Sequence, residues 1–132
     1  MPAPSITTGL AVNGSNTTAT ITFDQAVYKV DGLTLSTGTE LVPSIASGSA
    51  TLTSYTVAVS NNNKTFTFAL TLSGTSNGAE DLTVTGTVYN NDFPVGSLAL
   101  SSANASVTFN DLTAPTLSSV GIASNNATTT LA

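Results

Sequence analysis

Five acids are the residues of this chain best suited to chemistry: Glu80 and Asp81, which are adjacent, and Asp24, Asp31 and Asp111. Two carboxylates facing each other would suit acid–base work. Neighbours in an extended strand, however, point to opposite faces, so Glu80 and Asp81 do not form a facing pair. Read on their own, they are expected to be solvated turn acids. The chemistry left to them is calcium binding, which takes about six to eight oxygens from carboxylates, amides and carbonyls. No D-x-D-x-D-G loop is present, so such a site would have to be assembled from distant segments. If successive strands alternate in direction, the loop with Glu80 and Asp81 and the segment with Asp111 fall at one end of the molecule. Asp24 and Asp31 fall at the other. The five would meet only where the end of one domain abuts the beginning of the next.

Other chemistry has little to work with. The chain has no His and no Cys, which removes Ser–His–Asp and Cys–His arrangements, thiolate metal sites and disulfides. The reading is therefore non-enzymatic. Only Lys29 and Lys64 are basic, and the net charge is −5. A chain so poor in cations neutralises few phosphates, so nucleic acid is excluded as a partner. No apolar run approaches the length of a bilayer span, and there is no basic amphipathic helix, so no membrane insertion is expected. Met1 leads into "PAPSITTG" with no export signal in view. Such a signal is expected elsewhere in a longer polypeptide.

The elements that must carry these residues are strands. Charged residues make up 7% of the chain, against about 25% in an ordinary domain, so hydroxyls and amides must supply the polarity. Thr, Ser and Asn number 25, 17 and 12. They alternate with apolar residues. "ATITF" sets Ala19, Ile21 and Phe23 against Thr20 and Thr22. "TFTFALTL" sets Phe66, Phe68, Leu70 and Leu72 against Thr65, Thr67 and Thr71. "DLTVTGTVY" and "ASVTF" repeat the pattern at 81–89 and 105–109. Period two with Val, Thr and aromatics is the half-buried strand pattern. "SITTGLAV" reads as an opening strand broken near Gly9, and "LTLS" at 33–36 as a short strand. "TLTSYTVAVS" changes parity between Leu52 and Tyr55, which requires a bulge near Ser54. Turns fall at 13–16, 60–64, 73–78 and 90–96. About seven strands with no helical period predict an all-β, immunoglobulin-like antiparallel sandwich without a disulfide.

The end of the chain repeats its beginning. "APSITTGLAVNGSNTT" from Ala3 aligns with "APTLSSVGIASNNATT" from Ala114 at a constant offset of 111 residues. A period of that size is a domain repeat. The expected organisation is one sandwich over 1–112, then a linker and the first strand of a following repeat over 113–132. Pro115 stiffens the entry to that strand, and Leu117, Val120 and Ile122 are its apolar residues.

The same residues carry a resemblance. "NTTATITFDQAVY", "SGTSNGAEDLTVT" and "VTFNDLTAPTLSSV" resemble the tandem immunoglobulin-like repeats of very large bacterial surface and secreted proteins. In those repeats a similar strand opens the domain, a similar segment precedes the sixth strand, and an "NDxTAP"-type junction closes it. The resemblance spans nearly all of residues 3–120. It implies an extracellular, non-enzymatic spacer of stalks and adhesins, with neighbouring repeats as partners. It breaks at 90–97, where "NNDFPVGS" replaces the "DAAGN" common in the family, so a role tied to that loop does not carry over.

Two other functions are open to these residues. A filament, surface-layer or coat subunit would add its C-terminal strand, 116–132, to the sheet of an identical subunit. A ligand- or sugar-binding module would use the tip loops, whose aromatics are Tyr28, Tyr89 and Phe93. The threonine rows at 20/22, 65/67 and 83/85/87 suggest a flat hydroxyl array of the kind that binds ice. They are expected to fall in different sheets, and strand propensity alone explains them.

Overall fold

The computed structural model describes residues 2–30, 32–33, 35, 40–90, 96–119 and 121. The runs that alternate apolar and hydroxyl residues become strands. In chain order these are β1 (Ile6–Val12), β2 (Thr18–Phe23), β3 (Val42–Ala46), β4 (Thr51–Ser60), β5 (Thr65–Ser73), β6 (Asp81–Tyr89), β7 (Ser97–Leu100) and β8 (Ser106–Thr108). One sheet has the order β1-β2-β5-β4. The other is β3-β6-β7, with β8 also paired to β6. All pairings between strands are antiparallel. Strands 1, 2, 5 and 4 facing 3, 6 and 7 is the immunoglobulin constant-type arrangement. No helix among the described residues is long and apolar enough to cross a membrane.

The last strand of that arrangement is split here. β3 occupies one edge of β6, and β7 and β8 follow each other along the opposite edge. The turn at 101–105 interrupts them because Ser101 and Asn104 cap each other. Ser101 N donates to Asn104 Oδ1 at 2.9 Å, and Asn104 N to the Ser101 carbonyl at 3.2 Å.

The core lies between the sheets. Ala19, Ile21 and Phe23 of β2, Phe66, Phe68 and Leu70 of β5, and Leu82, Val84 and Val88 of β6 are buried. These are the inward parities read from the sequence. Phe23 and Phe66 meet edge-on, with ring centroids 5.8 Å apart at 74°, a geometry worth about 0.5–1.5 kcal/mol beyond area burial. Gly86 breaks the inward row of β6 because a side chain there would collide with the Glu40 carbonyl. Leu41, fully buried beside it, fills the space instead.

Three expectations need correcting. First, the described strand between β2 and β4 is Val42–Ala46, "VPSIA", which the sequence pattern does not show because Pro43 obscures the alternation; "LTLS" at 33–36, expected as a short strand, lies partly outside the described residues. Proline is tolerated because β3 is an edge strand, where no ladder bond need be lost. Leu35 is buried in the core, while Thr34 and Ser36 lie outside the described residues. Second, "SLAL" at 97–100 forms β7, which precedes the run read as the last strand. Third, the threonine rows of β2 and β5 share a sheet. Thr20 pairs with Thr67 and Thr22 with Thr65, and the latter two hydroxyls lie 3.1 Å apart. The bulges fall where parity required them. β1 changes register between Ile6 and Ala11, and β4 between Leu52 and Ser54.

Candidate functional site

Four segments converge at the end of the sandwich where β1 finishes and β6 begins. They are the β1–β2 turn, the β3–β4 turn, the loop before β6 and the chain leaving β8. Each brings unsatisfied polar backbone to one place, and buried groups of that kind must find partners.

Glu80 lies at the centre. Its side chain is fully buried. Oε2 accepts from Ser49 N (2.8 Å), Ala50 N (2.8 Å) and Asn77 N (3.3 Å), and Oε1 accepts from Gly78 N (3.1 Å) and Ser76 Oγ (2.9 Å). No cation faces it. Burial pushes this carboxyl up, but the bonds from Ala50, Ser76 and Ser49 outweigh it and bring the pKa down to about 2. A carboxylate ringed by backbone amides is stabilised as an ion without a counter-charge. Gly48 sits against it with φ +77°, and any side chain there would overlap the Glu80 carboxylate. Ser49 Oγ adds a short bond to the Thr75 carbonyl.

The network continues to the chain exit. Ser76 Oγ lies 2.6 Å from the Asn110 carbonyl as well as near Glu80, so its single hydrogen serves two acceptors. Asn16 is fully buried, with φ +60°. Its Nδ2 donates to the Asn110 carbonyl at 2.9 Å, and its Oδ1 accepts from Asn110 N at 2.9 Å and Asn110 Nδ2 at 3.1 Å. Asn110 Nδ2 also donates to the Asn13 carbonyl at 3.0 Å. Beyond it, Leu112 N and Thr113 Oγ1 both donate to the Ser76 carbonyl, at 2.9 and 3.0 Å. Thr113 N donates to Asp111 Oδ1 at 2.9 Å. The arrangement is a clasp that fixes where the chain leaves the domain.

The opposite end is looser. Asp24 is exposed there. Its Oδ1 accepts from Ser5 N at 2.9 Å, and that bond leads the causes that lower its pKa. Gln25 Nε2 and Asn90 Nδ2 both donate to the Pro2 carbonyl, at 3.1 and 2.9 Å. Asn90 is fully buried, whereas Gln25 Oε1 is buried without a partner. Asn61, Asn62 and Asn63 close the β4–β5 hairpin with φ of 53°, 54° and 62°.

The four of these five acids that lie among the described residues fall at two ends of the sandwich. Glu80, Asp81 and Asp111 lie at the clasp and Asp24 at the other end, while Asp31 lies outside the described residues. The expectation of solvated turn acids fails for Glu80, which is buried. Asp81 is exposed as expected, but it opens strand β6 rather than lying in a turn, and it accepts from Thr108 Oγ1 at 2.9 Å. Calcium binding by Glu80 would displace five donors from its carboxylate. Among the described residues no three acids gather into a potential metal site, and no cavity opens. Of the residues expected in assembly, Pro115 and Leu117 are exposed, and Val120 and Ile122 lie outside the described residues. Tyr28 and Tyr89 are joined by a backbone bridge. Phe93 lies outside the described residues.

Asn16, Ser76, Asn110 and Gly48 escaped the sequence reading. They are common turn residues, and the only local hint was a lone Glu following "SNGA". The chain matches no protein-family model, no curated protein and no solved structure.

Proposed function

We propose that this domain is a non-enzymatic structural repeat, a spacer in the stalk of a large extracellular bacterial surface protein. The observation that carries the reading is the clasp. The strongest polar network among the described residues is spent on the exit of the chain, at residues 110–113. Immediately after it, Ala114-Pro115 repeats Ala3-Pro4. A domain that pulls on its neighbours needs its exit fastened to its core.

The bulge in β1 sharpens the repeat. Dropping one residue where β1 changes register shifts the later alignment from an offset of 111 to 110. Leu10 then aligns with Val120, Val12 with Ile122, Asn16 with Asn126 and Ile21 with Leu131. The first copies of these residues are, in order, a buried core residue, a half-buried one, the clasp asparagine and a buried core residue. The second copy keeps each chemical type.

The test is the polypeptide encoded around this chain. Further copies spaced by about the same period and carrying the Asn16, Ser76, Glu80 and Asn110 set are expected. Unrelated sequence on both sides would overturn the reading. Light scattering on the chain itself should give a concentration-independent monomer. Polymers that vanish on removing residues 116–132 would instead favour a self-assembling subunit.

A further inference from the structure

We infer that the joint between successive repeats contains almost no free chain, because residues 113–116 are gripped by the domain they leave and by the domain they enter. This rests on the tandem-repeat reading above.

The rear grip is visible on this chain's exit. Leu112 N and Thr113 Oγ1 bond to the Ser76 carbonyl, and Thr113 N bonds to Asp111 Oδ1. The forward grip is visible on its entry. The Pro2 carbonyl takes hydrogen bonds from Gln25 Nε2 and Asn90 Nδ2. Ser5 donates its N–H to Asp24 Oδ1, and its carbonyl accepts from Asp24 N at 2.9 Å. Asn90 is held in place for this. Its N–H donates to the Gly96 carbonyl, and a side chain at position 96 would collide with its amide.

The two grips overlap by one residue. Ala3-Pro4-Ser5-Ile6 aligns with Ala114-Pro115-Thr116-Leu117, which puts Thr113 at the position of Pro2. The forward grip uses only the carbonyl of position 2 and the N–H and carbonyl of position 5. It is therefore indifferent to Thr for Pro and Thr for Ser. Thr113 keeps its N–H and hydroxyl on the first domain and offers its carbonyl to Gln25 and Asn90 of the second. Only Ala114 and Pro115 lie between the grips, and proline fixes its own φ.

The partner of the entry end is a second copy of the domain, placed N-terminally and joined without slack.

The chain has no cysteine, so spin labels can be placed at will. Two full copies are joined so that Thr113 of the first is followed by Ala3 of the second, with the exposed Thr56 changed to Cys in each. Pulsed electron resonance should give one narrow inter-label distance distribution. Three glycines inserted after Thr113 should broaden it severalfold, and Gln25→Ala with Asp24→Ala in the second copy, which removes two of the forward-grip partners, should broaden it in part. An unmodified tandem as broad as the glycine-inserted one overturns the inference. So does a narrow distribution that the entry-site changes leave untouched, since the stiffness would then come from elsewhere. Each copy's near-native thermal transition guards against unfolding. The joined copies report on the joint alone, whereas the encoded flanks report on the repeat reading, so either can fail without the other.

Discussion

The two ends of this sandwich answer one problem differently. At the exit end, Glu80 accepts hydrogen bonds from four backbone amides and one hydroxyl, out of contact with solvent. At the entry end, Asp24 accepts from Ser5 N in the open. The chemistry is the same: a carboxylate satisfying main-chain N–H groups. The surroundings differ. Where water can reach, it replaces a lost bond at little cost. Where it cannot, each orphaned donor carries its full desolvation penalty. The exit end therefore concentrates stability in one side chain, while the entry end spreads it over weak contacts.

The sharpest way to break this contrast is Glu80→Gln. The amide nitrogen would face a ring of donors, so the melting temperature should fall by roughly 10 °C or more. The pH dependence carries the same message. The carboxyl titrates at about 2 in the fold against an ordinary value of 4.5. A depressed folded-state pKa gives stability that is complete above about 4.5 and is lost as pH falls towards about 2. Urea midpoints should decline over that window in the wild type and much less in Glu80→Gln. A wild-type midpoint that stays flat from pH 5 to about 2.5 would show that the clasp does not hold an ionised carboxylate.

Gly48→Ala should come next, at about 2–3 kcal/mol in denaturant unfolding. It combines a positive φ with a collision against Glu80. Asn16→Ala loses three hydrogen bonds to Asn110, for about 2 kcal/mol. Asn16→Gly should behave almost as badly, because the bonds rather than the φ carry most of the cost. If Asn16→Gly were neutral, the exit would be held by backbone geometry alone.

These residues also mark the limit of the sequence. Alternation of Phe, Ile and Val with Thr located β2, β5 and β6, because a one-residue slip would turn each core set outward. It failed at β3, where Pro43 hides an edge strand, and at β7, where four residues are too few to show a period. The clasp was less legible still. Glu80 looks like any turn acid until the Ser47–Ala50 turn, about 30 residues earlier in the chain, is seen to aim its amides at it. Asn16 and Asn110 are partners across 94 residues. Nothing in local pattern encodes that pairing, since it depends on which ends the topology brings together.

At the entry end the hairpin offers a milder test. Asn62 is exposed and has φ +54°, a conformation asparagine tolerates better than alanine. Asn62→Ala should cost about 1 kcal/mol, and Asn62→Gly close to nothing. A large loss in the glycine variant would mean that the side chain, not the backbone, holds the turn.

Asp24→Asn should have the smallest effect on the isolated domain. The amide oxygen can still accept from Ser5 N, and solvent covers what it does not, so the melting temperature should move by no more than about 2 °C. The carboxyl of Asp24 lies below its ordinary value, chiefly because of the Ser5 bond. Its contribution is therefore present above the ordinary carboxylate range and lost on acidification through it. The variant should trim the acid limb only slightly, leaving the Glu80 decline in place. If Asp24→Asn instead costs as much as Glu80→Gln, burial is not what separates the two ends.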